Sequence, residues 1–424
     1  MLLELTVKNC LSFGDEQTFS LIANNKRKDG YVKEVSKDLK VLHKAVIYGA
    51  NASGKTNLLK VLRNIRRGLT KNSSEPFLLD ETFQNQPSFI KLVLYRESYF
   101  FEYVLEFTGT NVIKEELYVN KEKPITKATT AFFTRSKNLN GNNYEYTYNK
   151  HFPKNTTYQE GLKQLATSRK LFWQIFADNT TNESEYSNQV INTYKWFFVN
   201  KDNYGLVIEN FINDDILKNK INTIIQDLDL RVKEVLVEKE KLPAELIEML
   251  KESSSKDEDK TKVPEYIIHD RKYKHISNQG KEVLFNNNQV SDGTDNIFML
   301  LNKLLPEIER GKLILFDELE KNLHPHIVRY IVNLFNSPII NKNHAQLIFT
   351  THDITLLDDT LFRKDEVYFV EKNNKQMTEI YSLDDFNSKK GENIQNRYYT
   401  GKYGAIPNFE ASIIELEELY NGKE

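Results

Sequence analysis

The 424-residue sequence holds a single cysteine, Cys10, so no intrachain disulfide can form, and this fits a reducing cytoplasm. An excess of either charge is also missing: 58 basic and 60 acidic side chains leave a formal net charge of -2. That balance gives no general footprint for nucleic acid, although it is compatible with a local basic patch. No run approaches the ~20 apolar residues of a membrane span. The opening M-L-L-E-L-T-V-K-N-C carries an acid early and has no apolar core of signal-peptide length. The expectation is a soluble cytoplasmic protein with no membrane partner. Internal repeats and sustained heptads are absent as well, which argues against a long coiled-coil arm. What remains is ample material for a core, since 39% of residues are hydrophobic.

The order of elements can be read in outline. Residues 2 to 7 predict an opening strand, and Leu42 to Tyr48 a buried one. From Asn57 to Leu69, Leu58, Leu59, Leu62, Ile65 and Leu69 recur at helical spacing. Residues 87 to 120 alternate like an antiparallel β layer, with a hairpin turn at G-T-N, 109 to 111. From about Thr157 to Leu250 the pattern is helical and aromatic, and Trp173, Phe176, Trp196 and Phe197 are expected to be core. K-E-S-S-S-K-D-E-D-K-T-K at 251 to 262 predicts an exposed charged loop. Beyond Val263, strands ending near Phe316, Thr350 and Val370 alternate with helices, the signature of a parallel, helix-covered sheet. The expected class is α/β: a head with a parallel core sheet plus an antiparallel β layer. It is split into 1–130 and 263–424 by a mostly helical insertion, 131–262.

Between the buried strand and the first helix lies G-A-N-A-S-G-K-T. Strand, glycine-rich loop and helix in that order are the context of a phosphate-binding P-loop. Gly49, Ala50, Asn51, Ala52, Ser53, Gly54 and Asn57 supply the cradle. Lys55 offers a charge to the β- and γ-phosphates, and Thr56 a hydroxyl to magnesium. The expected ligands are therefore ATP and Mg2+. L-I-L-F-D-E at 313 to 318 describes a buried strand whose end emerges at the nucleotide. Asp317 would serve the metal, and Glu318 would act as general base on the attacking water. V-S-D-G-T at 290 to 294 opens a helix, so Ser291 and Gly293 offer donors to an anion; an ordinary N-cap explains the same residues. His352, in T-T-H-D after another buried strand, is placed to touch the γ-phosphate. Asp358–Asp359 and Asp384–Asp385 read as loop and cap acids rather than metal ligands.

Together, the P-loop, S-D-G-T, the Asp-Glu strand, E-K-N-L-H-P at 320 to 325 and T-T-H-D resemble the ABC-type heads of SMC-like ATPases, as does N-x-x-S-F at 9 to 13. R-K-D-E-V-Y-F-V-E-K at 363 to 372 and Y-Y-T-G-K-Y-G-A-I-P at 398 to 407 make the chain more narrowly similar to the bacterial RloA/AbiLi-type ATPases, relatives of the OLD ATPases. The resemblance implies a homodimer clamping two nucleotides head-to-tail. Each ATP would touch Lys55 and Thr56 of one chain and Ser291 and Gly293 of the other. Asn322 would cross the interface, Asn51 would sit near the γ-phosphate, and His352 would be the switch histidine. It also implies a role in anti-phage defence with a separately encoded effector, such as an RloB-like or TOPRIM-like nuclease. About 72 residues follow His352, too few for a fused TOPRIM domain. The pattern departs at Leu11, where a basic residue is common, and offers only Gln84 and Gln86 for the Q-loop glutamine. Two other readings stand beside this one. One is a nucleotide-gated scaffold that sequesters a toxin. The other is a RecF-like DNA-repair ATPase, with Arg63, Arg66 and Arg67 touching phosphate.

Overall fold

Short apolar blocks and alternating runs become strands. In the computed structural model they are, in chain order, β1 (Leu2–Lys8), β2 (Gln17–Ser20), β3 (Val32–Ser36), β4 (Leu39–Leu42), β5 (Lys44–Tyr48), β6 (Ser88–Arg96), β7 (Tyr99–Thr108), β8 (Asn111–Lys121), β9 (Phe133–Lys137) and β10 (Tyr144–Tyr148). They continue with β11 (Val232–Lys241), β12 (Tyr266–Ile276), β13 (Glu282–Asn286), β14 (Leu313–Phe316), β15 (Gln346–Thr350), β16 (Val367–Lys372) and β17 (Thr378–Ser382). The structure describes residues 1–27, 30–67, 75–138, 143–180, 184–197, 211–228, 231–241, 245, 266–386, 393–407 and 417–420. The charged stretch expected to form a loop, 251–262, lies outside them. The chain divides into two compact units, residues 1–200, 308–320 and 328–424 in one, and 201–307 and 321–327 in the other.

The larger unit contains two main sheets. The antiparallel one has the order β10-β9-β8-β7-β6-β1-β2. In β6, S-F-I-K-L-V-L-Y-R, every second residue from Ser88 to Leu94 is buried, so one face meets the core. The hairpin between β7 and β8 turns at Gly109, whose φ of 55° suits glycine. The aromatic stretch packs on this sheet: Trp173 lies 5.0 Å from Tyr103 and 6.5 Å from Phe101, ring centre to ring centre. A fully buried carboxylate, Glu115, fixes that packing. It accepts from Phe172 N at 2.7 Å, Trp173 N at 2.9 Å and Tyr103 Oη at 3.0 Å. Burial pushes the Glu115 carboxyl up, and Arg135, itself buried, opposes the push.

The second sheet has the order β14-β15-β5-β16-β17, parallel except for β17. All residues of β5 and β15 are buried, as expected of central strands covered on both faces. Two polar residues inside them are satisfied in full view of that cost. Lys44 Nζ donates to Glu366 Oε2 at 2.6 Å and Asn336 Oδ1 at 2.7 Å. Gln346 ties the two sheets together, accepting from Leu2 N at 2.6 Å and donating to Leu2 O and Leu42 O at 2.9 and 3.0 Å. Helix α1 (Lys55–Arg67) buries Leu58, Leu59, Val61, Leu62 and Ile65.

The stretch expected to be a helical insertion is mixed. Thr156–Leu165, Phe172–Asn179 and Glu185–Phe197 are helices, but β9 and β10 prolong the antiparallel sheet past residue 130. In the smaller unit, Asp215–Asp227 is a helix capped by Asp214, while Val232–Lys241 is a strand in the sheet β11-β12-β13. Its buried valines, 232 and 235, stand three residues apart, which reads as helical. A register shift between Val232 and Glu234 turns both to one face of a strand instead.

At the N-terminal ends of β5 and β15, His43 Nε2 and His344 Nδ1 lie 3.1 Å apart, and Tyr31 stacks on His43 at 4.2 Å. Burial lowers the His43 pKa to about 4. The unfolded chain takes up this proton near pH 6.5, so it binds more protons than the folded chain between about 6.5 and 4. Stability therefore falls as pH drops through that window, by up to about 3 kcal/mol from this group. In urea unfolding at pH 7.5 and pH 5, His43→Gln is expected to lose clearly less stability on acidification than the wild type.

Candidate active site

The loop after β5 must fold back tightly, and its glycines show why. A Cβ on Gly49 would stand 2.3 Å from Val370 O. One on Gly54, whose φ is 115°, would stand 2.3 Å from Thr378 Oγ1. Thr378 braces the loop from outside, within hydrogen-bond distance of Ser53 O (2.9 Å) and Ser12 Oγ (2.8 Å). Asn51 and Ala52 form the exposed tip, Ala52 at a left-handed φ of 62°. Ser53 is buried beneath it, Ala50 and Asn57 are half-buried, and Lys55 and Thr56 open α1. The first turn of α1 holds no acid, so its N–H groups face no competing negative charge from their own helix.

Lys55 is buried and its ammonium donates to Gly49 O at 2.8 Å and Ala50 O at 2.9 Å. Burial lowers its pKa, and the nearby Asp317, Glu318 and Glu320 counteract this. Thr56 Oγ1 donates to Asp317 Oδ1 at 3.2 Å. Asp317 and Glu318 follow β14, and His352 follows β15, so the parallel register of these strands delivers all three to one edge. His352 Nε2 stands 3.8 Å from Glu318 Oε1, both side chains being well exposed. Glu318 has a left-handed φ of 54°.

Four residues of this edge escaped the sequence reading. Thr350 Oγ1 donates to Asp317 Oδ1 at 2.7 Å and accepts from Glu318 N at 2.8 Å. Glu320 Oε1 accepts from His352 N at 2.6 Å. Thr378 and Ser12 brace the loop. Ser12, Glu320 and Thr350 stand inside the motifs N-x-x-S-F, E-K-N-L-H-P and T-T-H-D, but only as members of those runs; side chains that reach across the chain leave no spacing to detect.

Thr56 and Asp317 were expected to serve magnesium. Magnesium prefers hard oxygens and takes one or two from protein, the rest from water and phosphate. A hydroxyl and a carboxylate meeting at one point fit that requirement. Among the described residues, no group of three or more His, Cys, Asp or Glu gathers to hold an ion alone.

Ser291, Gly293 and Asn322 lie in the smaller unit. Ser291 caps its helix, Asp292–Glu309: its Oγ accepts from Thr294 N at 3.1 Å and lies 2.8 Å from Thr294 Oγ1. Gly293 is in the first turn, where a Cβ would stand 3.3 Å from Asn322 O, and Asn322 holds a left-handed φ of 61°. The candidate Q-loop glutamines bond locally, Gln84 Nε2 to Leu78 O and Gln86 Nε2 to Thr82 O. Arg63 donates to Leu315 O at 3.3 Å, and the Arg66 and Arg67 side chains lie outside the described residues. Asp358 accepts from Thr360 and Arg329, Asp384 from Asn24 and Arg27, and Asp385 from Ser382 N. These three acids are therefore engaged in loop and cap bonds.

Residues 44–358 match the family model described as "AAA domain, putative AbiEii toxin, Type IV TA system". No curated protein matches the chain. Among solved structures, the SMC head domain from Thermotoga maritima is 13% identical, with 90% of this chain and 98% of that one covered and a TM-score of 0.41. An Smc head bound to the C-winged helix domain of ScpA is 11% identical, covering 90% and 97%, with a TM-score of 0.42. The Smc head with an extended coiled coil from Pyrococcus furiosus is 12% identical, covering 90% and 96%, at 0.40. No helix among the described residues is long and apolar enough to cross a membrane.

Proposed function

The chain belongs to this AAA-domain family, and on that premise we propose that it is an ATP-hydrolysing dimeric switch. The observation that carries the proposal is the convergence of Lys55, Thr56, Asp317, Glu318 and His352 at one edge of one parallel sheet. The N–H groups of the loop and of the first turn of α1 bind the phosphates. Lys55 leaves Gly49 O and Ala50 O for the β- and γ-phosphate oxygens, exchanging two neutral acceptors for charged ones. Thr56 and Asp317 would hold magnesium, which supplies positive charge against the phosphates. Glu318 takes the proton of the attacking water. His352 lies beside Glu318 to steady the γ-phosphate. In a head-to-tail pair, Ser291 and Gly293 of a second copy close the nucleotide, and Asn322 crosses between the copies.

The switch reading extends to a cytoplasmic anti-phage role in which ATP turnover controls a separate effector, RloB-like or a TOPRIM-like nuclease. A second reading is a nucleotide-gated scaffold that sequesters a toxin, in a family whose description names a type IV toxin–antitoxin system. The RecF-like reading loses one support, because Arg63 is engaged by the backbone of β14. Calorimetric titration with Mg-ATP tests the base of the proposal. One site per chain is expected, and absence of binding would overturn it.

A further inference from the structure

We propose that Thr350 is a positioning residue for the metal-binding carboxylate and for the backbone of the general base. The inference rests on the ATPase reading above. Thr350 ends β15, a strand that pairs with β14 on one side and β5 on the other, so its backbone is anchored in the sheet. Its hydroxyl is fully committed. The proton goes to Asp317 Oδ1 at 2.7 Å, and a lone pair takes Glu318 N–H at 2.8 Å. The side chain is completely buried, and its carbonyl adds a third link by accepting from Leu319 N at 3.2 Å. Three consecutive residues, Asp317, Glu318 and Leu319, are thus held by one threonine.

The geometry assigns different tasks to the two hydroxyls on Asp317 Oδ1. Thr56 is at 3.2 Å and belongs to the nucleotide loop, so it can leave for a metal. Thr350 is closer and belongs to the sheet, so it keeps the Asp317 carboxylate in place once Thr56 has moved. The N–H bond to Glu318 matters for a further reason. Glu318 holds a left-handed φ of 54°, a conformation unfavourable for a side-chain-bearing residue, and bonding at its own amide sustains it. Valine at 350 would keep the shape and lose both polar links, taking from the Asp317 carboxylate its shorter hydrogen bond and from the Glu318 N–H its partner on the sheet.

The test measures affinity for a non-hydrolysable ATP analogue with and without magnesium, for wild type, Thr350→Val and Thr350→Ser. The expected result for T350V is unchanged affinity without magnesium and a tenfold to hundredfold smaller tightening when magnesium is added, the usual range for loss of an outer-shell partner. T350S, which keeps the hydroxyl, restores the tightening. Equal tightening in T350V and wild type would overturn the inference. So would equal loss in T350V and T350S, since the hydroxyl would then be irrelevant. If T350V fails to fold, T350S decides alone: tightening within about threefold of wild type supports the role, and a loss beyond tenfold contradicts it. A wild type that binds no analogue in either condition sinks the ATPase reading itself, a result distinct from these.

Discussion

Replacing Glu318 by Gln is expected to slow ATP hydrolysis by about 10²–10⁴-fold, the usual contribution of a positioned general base, while leaving ATP affinity within a few-fold. The physical reason lies in what Glu318 touches. Its side chain is about half exposed, stands 3.8 Å from His352 and acts on the Lys55 ammonium only through space. The fold therefore does not depend on its charge. Gln keeps the shape and can hold a water, but cannot take its proton. Its backbone anchor on Thr350 survives the change, since that bond is made by the main chain. With hydrolysis blocked and binding retained, ATP should hold paired chains together, so sedimentation of E318Q with Mg-ATP should show dimer where wild type shows exchange. Phosphate release at the wild-type rate would remove Glu318 from its role.

Lys55→Ala should act earlier, on binding, and abolish detectable turnover. Lys55 is buried at the base of the loop, where its ammonium donates to the carbonyls of Gly49 and Ala50. Removing it takes away a charge-assisted contact to the phosphates, each worth about 1.5–3 kcal/mol. ATP affinity should drop by about tenfold to a hundredfold. It also frees the carbonyls of Gly49 and Ala50, so part of the loss reflects a loosened loop. Lys55→Arg separates the two effects: it keeps the charge, but a planar guanidinium does not replace a compact ammonium in so tight a loop. Fluorescence titration with a labelled ATP analogue checks both variants, and full affinity in K55A would contradict the assignment.

Much of this edge could be read from sequence because each motif has local physical causes. Strand, glycines and helix around residues 44–67 announce a P-loop, and four apolar residues before Asp317 announce a strand end. A parallel, helix-covered core sheet was expected, and β14, β15, β5 and β16 form one. What was illegible depends on contacts distant in sequence. Thr350 and Asp317 are 33 positions apart, Thr378 and Ser53 are 325, and Gln346 and Leu2 are 344. No periodicity encodes such pairs. Val232–Lys241 misled for the opposite reason: its local pattern was informative but ambiguous, since a bulge gave a strand the spacing of a helix. Likewise, Trp173, Phe176, Trp196 and Phe197 were read as core and are buried, yet nothing in the pattern revealed that β9 and β10 extend a sheet begun at residue 2.

The central claim is that Lys55 and Thr56 form half of a hydrolytic site, and that Ser291 and Gly293 of a second chain supply the rest. ATP turnover per chain, measured across a dilution series with the oligomeric state determined at each concentration, tests this most directly. Turnover per chain is expected to fall as dimers dissociate, while ATP binding persists. Constant turnover per chain down to a demonstrated monomer would contradict it.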